Sequence, residues 1–141
     1  MNIYADSSFF VSLYVTDSHS QEVKHRISKF PNLWFTPLHK VEWVHAIEQH
    51  VFRGAMSAAE AHQVYDEFER DERKSLWTEV HVAEGVFEAA TQLARTHVSR
   101  LGTRTLDTLH VALAVDLQAD EFWTFDERQA KLAKVAGLKV S

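Results

Sequence analysis

The stretch RTLDTLHVALAVDLQADEFWTFD, Arg104 to Asp126, constrains this chain more than any other part of it. From Leu106 to Val115 it is nearly all apolar, which reads as a helix buried on most sides. Asp107 nonetheless sits in the first turn, where a bare carboxylate is costly unless paired, hydrogen-bonded or metal-bound. The polar link Gln118-Ala119-Asp120 leads into Glu121-Phe122-Trp123-Thr124-Phe125, aromatic and β-branched residues that read as a short strand. Thr124 and Asp126 fall at its end. Buried helix, turn, strand and acid make half of a βαβ-like arrangement. In such sheets ligands bind beyond the carboxyl ends of the strands.

Each acid also has a purely structural reading. Asp107 favours the positive end of its helix. Asp126, with Gln129 three residues on, has the form of an N-cap in a capping box. What separates the readings is whether other acids arrive at the same place.

Asn2-Ile3-Tyr4-Ala5 reads as a strand, and Asp6-Ser7-Ser8 leads into a helix from Phe9 to Tyr14. Asp6 is its natural N-cap; a carboxylate facing the crevice beyond the first strand is a compatible second role. Ser18 to Phe30 carries Val23, Ile27 and Phe30 at helical spacing, an amphipathic surface helix. Leu33-Trp34-Phe35 is a second strand. Thr36-Pro37 then opens a helix, with Thr as N-cap and Pro at the first position. It runs to about Arg53 and contains Glu42, whose direction the blurred apolar pattern leaves open.

Ser57-Ala58-Ala59-Glu60 is a capping box for the next helix, which runs into the charged stretch Glu69 to Lys74. Leu76 to Val80 reads as a strand and Ala83 to Val98 as a helix. Arg95, His97, Arg100 and Arg104 lead into the Asp107 helix, either as a solvated surface or as a grip for phosphate. Glu127 to Ala136 is a last helix ended by Gly137, and Leu138 to Val140 a last strand. Short strands alternating with helices imply right-handed crossovers and a mainly parallel sheet flanked by helices. One domain, residues 1–141, is expected.

Composition narrows the function. A net charge of −5 makes the field of the whole molecule repel nucleic acid. Polyanion binding therefore needs a local basic patch or a metal ion. The absence of cysteine removes disulfides and thiolate metal sites, and fits the reducing cytoplasm. The nine histidines match no dense ligand spacing, and His39, Glu42 and His45 drift around their helix rather than stacking. No signal peptide or membrane span is expected.

Asp6 and Asp126 follow strands, Asp107 heads the helix leading to the last-but-one strand, and Glu42 lies on the helix after the second. A parallel sheet collects the carboxyl ends of its strands on one edge, so the four can converge. Clustered carboxylates repel unless a cation intervenes. Oxygen-only ligands select a hard ion, Mg²⁺ or Mn²⁺. Such an ion can activate water for phosphodiester cleavage, and Thr124 can hold a bound water or a ligand carboxylate.

MNIYADSSFFVSLY, HKVEWVHAI, RTLDTLHVALAV and FWTFDERQAKLAKVAGLKV together resemble the PIN-domain family, and within it the VapC-type toxin ribonucleases of toxin–antitoxin pairs. The resemblance spans essentially the whole chain, in order and at family-like spacing. It implies a Rossmann-like three-layer α/β/α sandwich and Mg²⁺- or Mn²⁺-dependent RNA cleavage. The family's first acid matches Asp6, its helical Glu matches Glu42, its helix-borne Asp matches Asp107, and its Thr-x-Asp matches Thr124 and Asp126. Ser8 falls where the family often has a small polar residue. The further acid or Asn that many members carry between the last two is not matched by Asp116 or Asp120. Members commonly form homodimers and are inhibited by a cognate antitoxin that covers the acidic pocket.

The expected function is therefore a metal-dependent endoribonuclease. Asp6, Asp107 and Asp126 would bind metal, Glu42 would bind metal or orient water, and Arg100 or Arg104 would grip phosphate. The alternative is a catalytically silent PIN-like module acting through protein contacts, with Phe9, Phe10, Trp34 and Trp43 either in an interface or in the core. A phosphatase-like hydrolase is weaker, because Asp6-Ser7-Ser8 lacks a second acid two residues on.

Overall fold

A computed structural model describes residues 1–29 and 32–141. In chain order its elements are β1 (Ile3–Ala5), α1 (Ser7–Tyr14), α2 (Ser20–Lys29), β2 (Leu33–Phe35), α3 (Pro37–Phe52), α4 (Ala58–Arg73), β3 (Trp77–Glu79), α5 (Gly85–Leu93), a π-helical turn (Ala94–Val98), α6 (Ser99–Leu101), α7 (Thr105–Asp116), β4 (Glu121–Trp123), α8 (Glu127–Val135) and β5 (Lys139–Val140). The expected alternation of short strands and helices is present. Phe30, expected on the apolar face of the second helix, lies outside the described residues. The chain divides into two compact units, one of residues 1–6 and 81–141, the other of residues 7–80.

In the first unit β1 pairs parallel with β4, and β4 with β5. Ile3, Tyr4, Ala5, Phe122 and Trp123 are buried, so these strands read as continuous apolar runs rather than alternating ones. Helix α7 packs against both α5 and α8. Six of its residues, from Thr108 to Ala114, are buried. That all-round burial explains why its apolar pattern has no polar face. His110 lies in this run, and its Nδ1 stands 2.7 Å from the Tyr4 hydroxyl. The pair satisfies two polar groups inside the core, while Tyr4 stacks on Phe122.

The second unit pairs β2 with β3, again parallel. Its core is aromatic: Trp43 stacks on Phe68 at 4.5 Å, and Phe10 meets Phe35 and Trp77 edge-on at 5.0 and 5.2 Å. Phe9, Phe10 and Trp43 are fully buried, which assigns them to packing rather than to an interface. The indole N–H of Trp43 donates to the Phe10 carbonyl at 3.2 Å. Thr36 caps α3 as expected, and His39 returns the bond: its Nδ1 accepts from the Thr36 amide at 3.0 Å. Ser57 and Glu60 form the expected capping box of α4.

Several boundaries differ from expectation by one or two residues, and two of the differences bear on the site. The helix read from Ala83 starts at Gly85 and passes at Ala94 into a π-helical turn. The strand read from Glu121 to Phe125 ends at Trp123, which places Thr124 just beyond the sheet.

Glu121 opens β4 with its side chain buried. It accepts from the Trp123 indole at 2.9 Å and pairs with Lys139 at 3.0 Å. The Trp123 donor first, and Lys139 second, hold its carboxyl below the usual range. A depressed folded-state pKa adds stability above the unfolded value, and that stability disappears as pH falls through the folded value. Glu121→Gln is therefore expected to flatten the acid limb of the stability–pH curve below about pH 5. Urea melts from pH 3 to 7 measure this; an acid limb as steep as that of the parent would contradict it.

Candidate active site

The parallel register of the first unit pairs Ala5 with Trp123. The next residue on each strand is therefore held beside its counterpart, Asp6 against Thr124. The Asp6 amide donates to the Trp123 carbonyl at 3.0 Å, continuing the ladder one step. The Thr124 hydroxyl stands 2.7 Å from Asp6 Oδ2 and 2.7 Å from Gln129 Oε1. A hydroxyl has one proton, so Thr124 donates to only one of these oxygens at a time. It also accepts from the Asp126 amide at 3.0 Å.

Asp126 caps α8 as expected: its Oδ1 accepts from the Gln129 amide at 2.8 Å. The Gln129 side chain does not complete the capping box. It turns into the protein, fully buried, where Nε2 donates to the Asp107 carbonyl at 3.3 Å. Gln129 thus ties the turn after β4 to the first turn of α7. This residue was missed as part of the site. Its only signal was its spacing from Asp126, which a capping box explained equally well.

Asp107 is partly buried, and its Oδ2 accepts from Arg104 Nε at 3.1 Å. The Arg104 side chain is 78% exposed, so this pair is a weak, solvent-screened one. Arg100 is exposed, with Nη2 3.5 Å from His97 Nδ1. In the second unit Glu42 is half-buried, and its Oε1 accepts from Ser7 Oγ at 2.9 Å. This settles the direction that helical periodicity left open: Glu42 turns toward α1 rather than standing as a solvated residue.

The first unit therefore brings Asp6, Thr124, Asp126 and the start of α7 into one hydrogen-bonded network. Among the described residues no three Asp, Glu or His side chains stand grouped closely enough to hold a metal ion as placed. The donor chemistry nevertheless suits a hard cation. Every candidate ligand is a carboxylate oxygen, Thr124 has one proton for two acceptors, and the cation on Asp107 is an exposed arginine.

An α/β fold with parallel strands and acids just beyond their carboxyl ends is the architecture of a ligand-binding doubly wound protein. The chain belongs to the PIN domain family, whose profile matches residues 3–135. A comparison with curated proteins gave no match. Among solved structures, the chain is similar to VapC20 of Mycobacterium tuberculosis, described as a Sarcin-Ricin loop cleaving toxin. That likeness has 17% identity and a TM-score of 0.69, over 96% of this chain and 95% of the other. It is also similar to FitAcB of Neisseria gonorrhoeae, with 12% identity and a TM-score of 0.74, over 98% and 95% of the two chains. A third is VapBC-1 of nontypeable Haemophilus influenzae, with 14% identity and a TM-score of 0.67, over 100% and 97%. At such identities the likeness is one of fold, and it runs through both units.

Proposed function

We propose that this protein is an endoribonuclease that hydrolyses RNA phosphodiester bonds with Mg²⁺ or Mn²⁺, and that it is the toxin of a toxin–antitoxin pair. The observation that carries the reading is the network of Asp6, Thr124, Gln129 and Asp107 at the carboxyl ends of β1 and β4, in a chain of the PIN family. One similar structure described as a toxin and another described as a toxin–antitoxin complex support the second half of the reading. A cognate antitoxin, a homodimer and a cytoplasmic location follow from the family resemblance. No helix among the described residues is long and apolar enough to cross a membrane.

In this reading Asp6, Asp107 and Asp126 bind the ion, and Glu42 binds it or orients water. The bound ion would polarise the phosphate and generate hydroxide near neutral pH. The remaining work belongs to the chain itself. Thr124 holds the Asp6 carboxylate when its proton faces Oδ2, and Gln129 ties the turn after β4 to the first turn of α7. Arg104 exchanges Asp107 for a substrate phosphate, which it can bind through two N–H groups at once. Arg100 adds a second cation on the same approach. These local cations answer the net charge of −5, which by itself disfavours a polyanion.

The test is metal removal. Purified protein freed of antitoxin is expected to cleave RNA in Mg²⁺ or Mn²⁺, to stop on chelation by EDTA, and to resume when the ion is restored. Cleavage indifferent to chelation would refute metal dependence. A folded, antitoxin-free protein inert toward RNA in both ions would favour the silent binding module.

A further inference from the structure

Helix α7 runs antiparallel to β1. Its exit lies beside the start of that strand, where the Asp120 amide donates to the Asn2 carbonyl at 2.8 Å and the Asn2 amide to Asp120 Oδ2 at 2.7 Å. Its first turn therefore lies toward the carboxyl end of β1, where Gln129 and Thr124 stand between the Asp107 carbonyl and Asp6 Oδ2. One step deeper, Tyr4 of β1 meets His110 of α7, hydroxyl to Nδ1 at 2.7 Å, with both side chains buried.

Residues two apart on a strand share a face, and the ladder continues through the Asp6 amide. Asp6 thus projects from the same face of β1 as Tyr4. Residues three apart share a helix face, so Asp107 projects from the same face of α7 as His110. From the Tyr4–His110 contact, two strand residues advance about 6.6 Å toward the carboxyl edge. Three residues back along the helix advance about 4.5 Å toward the same edge. The two acids are therefore carried to that edge by the two elements this contact joins. Packing alone does not require a polar pair there, since apolar residues of the same shape fill such a space about as well. What the pair adds is direction: a hydroxyl held against one ring nitrogen sets the spacing and rotation of α7 over β1. Tyr4 is held in turn by its stack on Phe122 of β4 at 5.7 Å. Granted the metal site proposed above, we propose that Tyr4 and His110 are positioning residues for it: their hydrogen bond sets the separation at which the Asp6 and Asp107 carboxylates meet a divalent cation. A hard ion tolerates little departure from its coordination geometry, so loss of the bond is read as loss of ion affinity.

Calorimetric titration of Mn²⁺ into the metal-free full chain measures this. Tyr4→Phe keeps the ring and removes the hydroxyl. At a temperature where the variant is fully folded, it is expected to weaken Mn²⁺ binding about tenfold, the low end of the range for residues that orient metal ligands. His110→Leu should do the same, and the double variant should cost little more than either, because both act through one bond. Ile47→Val, a conservative truncation in the buried core of the second unit, loses comparable stability and should leave the affinity unchanged. The proposal fails if Tyr4→Phe binds Mn²⁺ like the parent, if the two single losses multiply, or if Ile47→Val weakens binding equally. A parent chain that binds no Mn²⁺ would overturn the metal reading itself, and with it any role for the pair in that site. Should His110→Leu not fold, Tyr4→Phe against Ile47→Val decides alone.

Discussion

Asp107→Ala is expected to lower Mg²⁺-dependent RNA cleavage by about a thousandfold or more while leaving the fold intact. Loss of a carboxylate that positions the ion removes several kcal/mol of transition-state charge stabilisation, at about 1.4 kcal/mol per factor of ten. The fold tolerates the change because the Asp107 carboxylate is tied to an exposed arginine, and such surface pairs are worth about 0–1 kcal/mol. The Asp107 carbonyl, which accepts from Gln129, survives the substitution. Asp6→Asn should match this loss. Asp126 requires the conservative change, since its side chain also caps α8 and alanine there would cost about 1 kcal/mol of helix stability. Asp126→Asn keeps an acceptor for the Gln129 amide and isolates the charge. Gel assays of RNA cleavage beside thermal melts by circular dichroism check these effects. An Asp107→Ala protein that cuts RNA as fast as the parent would remove the acids from the chemistry altogether.

The positions of Asp6 and Asp126 after strands were legible because strands are short apolar runs whose ends are marked by polar residues; Thr124, read as the end of a strand, lies just beyond it. The caps at Thr36 and Ser57 were legible for the same local reason: a side chain that satisfies its own helix end needs nothing distant. Glu42 was not, since its direction depends on Ser7, 35 residues earlier, and the periodicity of α3 is blurred by His39, which faces inward and bonds to Thr36. Gln129 was concealed by a local pattern that was half correct. Asp126 caps α8 through the Gln129 backbone, while the Gln129 side chain goes elsewhere. The π-helical turn left no signal at all, because Ala94 to Val98 continues the helical apolar spacing. Local hydrogen-bond chemistry can be read from neighbouring residues, whereas side chains that reach across the fold answer to register.

Gln129→Leu is expected to lower kcat for RNA cleavage by about 10- to 100-fold, the range for removing a residue that orients a ligand, with the KM for RNA nearly unchanged. The side chain is fully buried between Thr124 and the Asp107 carbonyl. Leucine fills the space but removes the donor that Gln129 gives the Asp107 carbonyl, while Thr124 keeps Asp6 and the Asp126 amide; the lost buried hydrogen bond costs roughly 1 kcal/mol of stability as well. A purely structural role would be limited to that thermal loss. A positioning role adds a fall in kcat at temperatures where the variant is fully folded. Thr124→Val attacks the same relay from the Asp6 side and should give a comparable fall. The decisive measurement is the double variant. Residues acting through one chain of hydrogen bonds are non-additive, so Thr124→Val with Gln129→Leu should cost little more in kcat than the worse single change. If the two losses multiply instead, Thr124 and Gln129 work independently, and Asp6 is not oriented through Gln129 from the first turn of α7.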